Sequence, residues 1–229
     1  MTPSPELLDL DPRRFGVVLF DYDDTLVMTR EHRWEAIREA GREAAGWAPS
    51  MEAIERFWGL PYQTFFERLF AGRTHDVGSV IAAYESLNER YPAVAHEGAL
   101  EALARIRRTR RVGIVTAGAR TVVLAQLGSL GIDPSGLDWL QTAEDTEHHK
   151  PDPRVFAKAI AKGRECGLPP SSMLYVGDAF TDYAAARDAG LAFVGIPRVE
   201  TQRAKLREAA AICVASLDEL ARFLCDAAR

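Results

Sequence analysis

Cysteine is scarce in this 229-residue chain, with only Cys166, Cys213 and Cys225. An odd number without a CxxC pair supports neither a disulfide framework nor a thiolate zinc centre. A reducing cytoplasm is the expected compartment. No apolar run approaches the roughly 18 residues of a membrane-spanning helix. The polar, acidic stretch Met1–Arg14 carries no apolar core of the signal-peptide kind, so neither export nor a membrane partner is expected. Lysine is rarer still relative to its counterpart: four residues, Lys150, Lys158, Lys162 and Lys205, against 24 arginines. Basic residues number 28 against 33 acidic ones, a net charge of −5. That balance argues against nucleic acid as the partner. No fixed-period repeat and no low-complexity tract is visible. What remains is an ordinary globular composition, 47% apolar and 27% charged. It suits one large domain with a modest insertion, large enough to bury a core without staples.

Short apolar runs punctuate the chain: Phe15–Phe20, Val112–Val115, Met173–Val176, Leu191–Ile196 and, more weakly, Ile212–Val214. They do not alternate with polar residues, so as strands they are covered on both faces. Helix-like segments separate them. Leu100, Leu103 and Ile106 share one face, as do Val123, Leu127 and Leu130, and Val155, Phe156, Ala159 and Ile160. This alternation predicts an α/β fold, a Rossmann-like parallel sheet with right-handed crossovers. From about Thr29 to Tyr91 no strand is expected. Trp34, Ile37, Ala44 and Ala45 read as one amphipathic helix, Phe65, Phe66, Leu69 and Phe70 as a second, and Val80, Ile81, Tyr84 and Leu87 as a third. The expected division is a core of residues 1–28 and 97–229 with a helical insertion, 29–96, after the first strand. Thr29–Glu31 and Tyr91–Gly98 are its expected connections. Trp34, Trp47 and Trp58 are expected to form its own core.

Ligands of open parallel sheets bind beyond the carboxyl ends of the strands. Directly after Phe15–Phe20 comes Asp21-Tyr22-Asp23-Asp24-Thr25. After Val112–Val115 comes Thr116-Ala117-Gly118, and after Met173–Val176 comes Gly177-Asp178, then Asp182. Asp21 and Asp23, two apart, point to one side of an extended chain. Asp178 and Asp182, four apart, share a face at a helix start. Carboxylates so crowded repel unless a cation neutralises them. Hard oxygen donors without nearby His or Cys suit Mg²⁺. Taken singly, Asp178 reads equally as a helix N-cap and Asp21–Asp24 as a solvated turn; their convergence on one sheet edge favours a site. Lys150, ahead of Pro151-Asp152-Pro153, reads by itself as an exposed loop lysine and, beside these carboxylates, as a point charge that offsets a phosphate.

These residues resemble the haloacid dehalogenase-like hydrolase superfamily. FDYDDTL at Phe20–Leu26 resembles its D-x-D-x-T motif, Thr116 its Thr/Ser motif, Lys150 its lysine motif, and VGDAFTDYAAARDAG at Val176–Gly190 its G-D-x-x-x-D motif. The helical insertion resembles the α-helical cap of the phosphoglycolate-phosphatase-like branch. The resemblance implies that Asp21 attacks phosphorus to give an aspartyl-phosphate. It implies that Asp23 protonates the leaving oxygen and later deprotonates water. Mg²⁺ is then held by Asp21, the Asp23 carbonyl and Asp178 with support from Asp182. Thr116 and the amides of Ala117 and Gly118 hold the phosphoryl oxygens, and Lys150 balances charge. Members that remove halide lack an acid at the Asp23 position, so phosphate chemistry is implied. Asp24 stands where many relatives have Gly, a change expected to cost nothing, and Met28 where relatives often have an acid.

The expected function is hydrolysis of a small phosphomonoester metabolite by a cytoplasmic monomer or dimer. Gly59-Leu60-Pro61 resembles a family loop that dips toward the site, which nominates Arg56, Tyr62 and Gln63 as substrate contacts. The alternative is a phosphomutase resembling beta-phosphoglucomutase, with Arg56 or Arg68 holding a second phosphate. A non-catalytic protein that keeps the fold is a third reading, disfavoured by four intact motifs.

Overall fold

The computed structural model describes Leu7 and residues 10–226, so much of the Met1–Arg14 stretch lies outside the described residues. Five strands, β1 (Val17–Phe20), β2 (Arg111–Val115), β3 (Trp139–Gln141), β4 (Met173–Gly177) and β5 (Ala192–Gly195), form one sheet in the order β3-β2-β1-β4-β5. Every pairing is parallel. β1 lies at the centre, Phe20 in register with Ile114 on one side and Val176 on the other. All of β1 and β4 is buried, as continuous apolar runs require when both faces are covered. Of the expected strands, Ile212–Val214 is reduced to a single bridge from Cys213 to Gly195. The edge strand β3 carries no apolar run of its own and was not expected.

Helices cover both faces. One face packs Leu103, Ile106, Val123 and Leu127 with Leu220 and Leu224. The other packs Phe156, Ala159, Ala185 and Leu206 against Val17, Leu19 and Tyr175. These come from α5 (Ala99–Ile106), α6 (Arg120–Ser129), α7 (Ala157–Glu165), α8 (Phe180–Asp188), α9 (Glu200–Glu208) and α10 (Leu217–Asp226), with Phe156 just before α7.

Between β1 and α5 the chain leaves the sheet for four helices: α1 (Thr29–Ala45), α2 (Met51–Phe57), α3 (Tyr62–Leu69) and α4 (Val77–Ser86). They enclose a separate apolar cluster around Trp34, Ile37, Ile54, Phe66, Phe70 and Tyr84, with Trp47 and Trp58 packed on it. Edge-to-face pairs knit it together: Trp34–Trp58 at 5.5 Å, Trp47–Phe70 at 5.6 Å and Trp58–Phe65 at 5.6 Å between ring centroids. At Gly41 a Cβ would lie 2.5 Å from the Trp47 carbonyl oxygen and 2.8 Å from the Phe70 ring, so α1 packs this closely only because the residue is glycine. Helix α2 has a short periodic run and was not among the three expected. Its N-cap is nevertheless explicit, Ser50 accepting from Ala53 N.

The outgoing connection is earlier than expected. Thr29 is already helical, and residues 26–28 pair antiparallel with 94–96: Met28 N donates to Val94 O and His96 N to Leu26 O. The two strands of the connection therefore support each other.

Candidate active site

Strand order reverses between β1 and β4, so their carboxyl ends open a crevice. Asp21 leaves β1 with its N–H still bonded to Val176 O at 2.8 Å, and Asp178 leaves β4 directly after Gly177. Between them stands Lys150, brought from the connection after β3 at a cis peptide bond to Pro151. Its Nζ lies 2.6 Å from Asp21 Oδ1 and 2.7 Å from Asp182 Oδ1, and donates to the Tyr175 hydroxyl at 3.0 Å. Tyr175 in turn donates to Val115 O. Tyr175 was legible only as an apolar strand residue, yet its hydroxyl ties the lysine to the sheet.

Asp182 spans two duties. Its Oδ2 accepts from Ala179 N, capping α8, while Oδ1 meets Lys150. The capping role open to Asp178 in the sequence is thus filled by Asp182, leaving the Asp178 carboxylate to the crevice. A Cβ at Gly177 would lie 2.4 Å from Asp182 Oδ2, so glycine is required for this approach.

Asp23 faces the same crevice. Its Oδ1 accepts from the Thr29 hydroxyl at 2.8 Å, and the Thr116 hydroxyl is a second hydrogen-bond partner. Thr116 Oγ1 also accepts from Gly118 N, which folds the loop after β2 back on itself. Asp24 departs from expectation. It sits at φ +55°, the left-handed region that glycine occupies freely and other residues occupy at a cost. Its carboxylate compensates, accepting from Thr29 N and Arg30 N at the start of α1 and pairing with Arg30 Nε at 2.8 Å. Helix α1 has no side-chain cap from its own N-cap residue, Met28; Asp24 does that work instead. Behind the loop, Arg198 donates to the carbonyls of Asp24 and Thr25.

The electrostatics are those of an overcrowded anionic site. Burial pushes the Asp21 carboxyl up to about 7 against the pull of Lys150, with Asp182 and Asp23 adding repulsion. Burial raises Asp178 well above the ordinary carboxylate range, and Asp182, Asp21 and Asp24 push the same way. Burial also raises Asp23, opposed by its bond from Thr29 and the charge of Lys150. Oxygens of Asp21, Asp178 and Asp182 lie within 4.8 Å of one another, and Asp178 Oδ2 is buried without a hydrogen-bond partner. Three carboxylates faced by one lysine, with one oxygen unpartnered, form a donor set that fits a hard divalent cation.

A cavity of about 170 Å³ lies over these groups, lined by Asp21, Asp23, Lys150, Asp178 and Asp182 below and by the helical insertion above. Ala117, Gly118 and Tyr62 line it, and Tyr62 N donates to Ala117 O, joining α3 to the loop after β2. Thr116 is buried beside it. Arg56 and Gln63 do not line the cavity. Both are exposed, Arg56 on α2 and Gln63 on α3, where Gln63 donates to Glu67 one turn on. One-residue steps along a helix rotate side chains by about 100°, which turns Gln63 outward when Tyr62 points in. Arg30, Trp58 and Leu60 line the cavity instead. Leu60 lies within the Gly59–Pro61 loop, where an apolar residue gives no chemical signal of a substrate contact.

The sequence profile of the haloacid dehalogenase-like hydrolases matches residues 18–196. The chain belongs to this family. The validoxylamine A 7'-phosphate phosphatase of Streptomyces hygroscopicus subsp. limoneus is 32% identical over 200 residues, 80% of this chain and 85% of that protein. The phosphoglycolate phosphatase of Cereibacter sphaeroides is 29% identical over 189 residues, 77% of this chain and 82% of that one. Among solved structures, a hydrolase from Pseudomonas syringae superposes with a TM-score of 0.70 at 26% identity, covering 90% of this chain and 96% of that chain. The protein is therefore an enzyme of the haloacid dehalogenase-like hydrolase family, with phosphatases among its relatives. Among the described residues no helix is long and apolar enough to cross a membrane.

Proposed function

We propose that this hydrolase is a Mg²⁺-dependent phosphatase of small phosphomonoesters, with Asp21 as nucleophile. The observation that carries the reading is the meeting of Asp21, Asp178, Asp182 and Lys150 at the β1/β4 crevice. A nucleophilic carboxylate has to be ionised at neutral pH, and burial opposes that at Asp21. Asp21, Asp178 and the Asp23 carbonyl, with Asp182 in support, would hold Mg²⁺, which when bound would supply positive charge for these carboxylates and for a phosphate dianion.

Asp21 attacks phosphorus and the ester oxygen leaves, giving an aspartyl-phosphate. Asp23, kept protonated more readily by burial, gives its proton to the departing oxygen. It then takes a proton from the water that attacks the same phosphorus and restores Asp21. Thr29 fixes the Asp23 carboxylate for both steps. Thr116 and the Ala117 amide hold the phosphoryl oxygens, joined by the Gly118 amide when it leaves Thr116 Oγ1, and Lys150 spreads positive charge over them; positioning and charge stabilisation are most of what this chemistry needs. The insertion, residues 29–96, acts as a cap on the core of residues 1–28 and 97–229, excluding water from the intermediate. A phosphomutase needs a cation on the cap side for a second phosphate. Arg56 and Arg68 do not line the cavity, and Arg30, the insertion's cation that does, is already paired with Asp24 and Glu55, which favours hydrolysis.

The test is phosphate release from a panel of phosphomonoesters. Release with Mg²⁺, none in EDTA, and none from Asp21→Asn is expected. Equal release by Asp21→Asn contradicts the reading.

A further inference from the structure

The wall opposite the carboxylates differs in character from the crevice floor. Trp58, Leu60, Tyr62, Phe65, Tyr84 and Val122 line it, an aromatic and aliphatic surface. Leu60, 38% exposed, is part of this lining. Among the described residues, the cavity lining carries two cations, and both are committed. Lys150 is held by Asp21 and Asp182. Arg30 is paired with Asp24 and Glu55, each at 2.8 Å, and packs over the Trp34 ring. Arg33 is buried in the insertion, packs against the Tyr84 ring at 4.5 Å, and does not line the cavity. The Tyr62 hydroxyl is occupied too, donating to Glu85, whose charge would repel an anion there.

Resting on the phosphatase reading, we propose that the ester accepted here is the monophosphate of an uncharged aromatic or aliphatic alcohol. A second anionic group on the leaving alcohol, carboxylate or phosphate, is disfavoured. Such a group would give up its water in a cavity whose two cations are already paired, and the amides of Gln126 and Gln202 that also line it carry no charge to neutralise it. An apolar ring gains burial against Trp58, Tyr62 and Phe65 and is suited to edge-to-face contact. Leu60, Trp58 and Tyr62 are thus assigned as the residues that read the leaving group.

The experiment compares benzyl phosphate with 4-carboxybenzyl phosphate, a pair whose leaving alcohols are similar and whose charge differs, and adds ethyl phosphate and phosphoglycolate. Expected is a kcat/KM for benzyl phosphate at least about 10-fold above that for its carboxylated partner, the scale on which apolar pockets discriminate. Leu60→Arg, at an exposed position, is expected to narrow the benzyl to carboxybenzyl ratio several-fold. A carboxybenzyl ester or phosphoglycolate cleaved as well as benzyl phosphate overturns the inference and leaves the phosphatase reading standing. So does an unchanged ratio in Leu60→Arg. Absence of hydrolysis across all four esters removes both.

Discussion

Asp24 shows how one residue joins the two parts of the molecule. Its backbone adopts a conformation that suits glycine, and its carboxylate replaces the missing N-cap of α1 and holds Arg30. Removing the carboxylate forfeits a cap worth about 0.5–2 kcal/mol. Alanine keeps the left-handed strain of about 1–2 kcal/mol, whereas glycine relieves it. Glycine loses part of that gain, about 0.5–1 kcal/mol, to its greater freedom when unfolded. Both Asp24→Ala and Asp24→Gly are therefore expected to be less stable than the parent in urea. Alanine is expected to be the worse by about 0.5–1 kcal/mol, the difference between these strain and freedom terms. An alanine variant as stable as the glycine variant contradicts the strain assigned to this position. In the sequence Asp24 was visible only as a departure from a motif. Its φ, and so its cost and its use, depend on where α1 begins. Asp21 and Asp178 were legible for the opposite reason: each directly follows a strand, and strand ends place residues without help from distant contacts.

At the scale of elements, the paired connection 26–28 and 94–96 carries the insertion. His96 sits on it, its ring bonded to the Asp24 backbone and its Nε2 buried without a partner. Burial, reinforced by the charge of Arg198, lowers the His96 pKa to about 4 from an ordinary 6.5. The folded protein then holds His96 neutral while the unfolded chain takes up a proton below the ordinary value. The resulting contribution is full above pH 6.5 and is lost as the pH falls toward about 4. His96→Asn is expected to lose less stability than the parent between pH 7 and pH 4, read as urea midpoints against pH, in EDTA to keep metal out of the comparison. Parallel curves for the two proteins contradict a neutral buried His96. Elements were legible to the degree that their own residues carried the signal. β1, β2, β4 and β5 announce themselves as unbroken apolar runs. β3 is three residues at a sheet edge, Trp-Leu-Gln, and exists because β2 lies beside it. The run Ile212–Val214 had the composition of a strand but made only one bridge. Arg56 and Gln63 have the chemistry of substrate contacts and lie near Gly59–Pro61, but both are exposed, helix rotation turning Gln63 to the solvent side.

For the whole molecule, the candidate active site is a place where stability has been given up. Three buried carboxylates confront one lysine, and Asp178 Oδ2 has no partner. Removing that charge is expected to relieve repulsion. In EDTA, Asp178→Asn is expected to melt at or above the temperature of the parent protein, while losing activity. Mg²⁺ is expected to raise the melting temperature of the parent, the stabilisation reaching about 2.7 kcal/mol at a hundred times the dissociation constant. It is expected to leave Asp178→Asn little changed. Thermal melts of both proteins with and without Mg²⁺ decide the matter. A variant that is less stable in EDTA, or that keeps the full Mg²⁺ shift, contradicts the assignment of these carboxylates to a cation.

The most direct measurement is the search for the covalent intermediate. Protein quenched in acid during turnover with Mg²⁺ and an accepted ester is digested and examined by mass spectrometry. A phosphoryl group on the peptide containing Asp21, absent from Asp21→Asn and from protein quenched in EDTA, is the expected result. A phosphoryl group on another residue, or phosphate release that persists in Asp21→Asn, contradicts the mechanism.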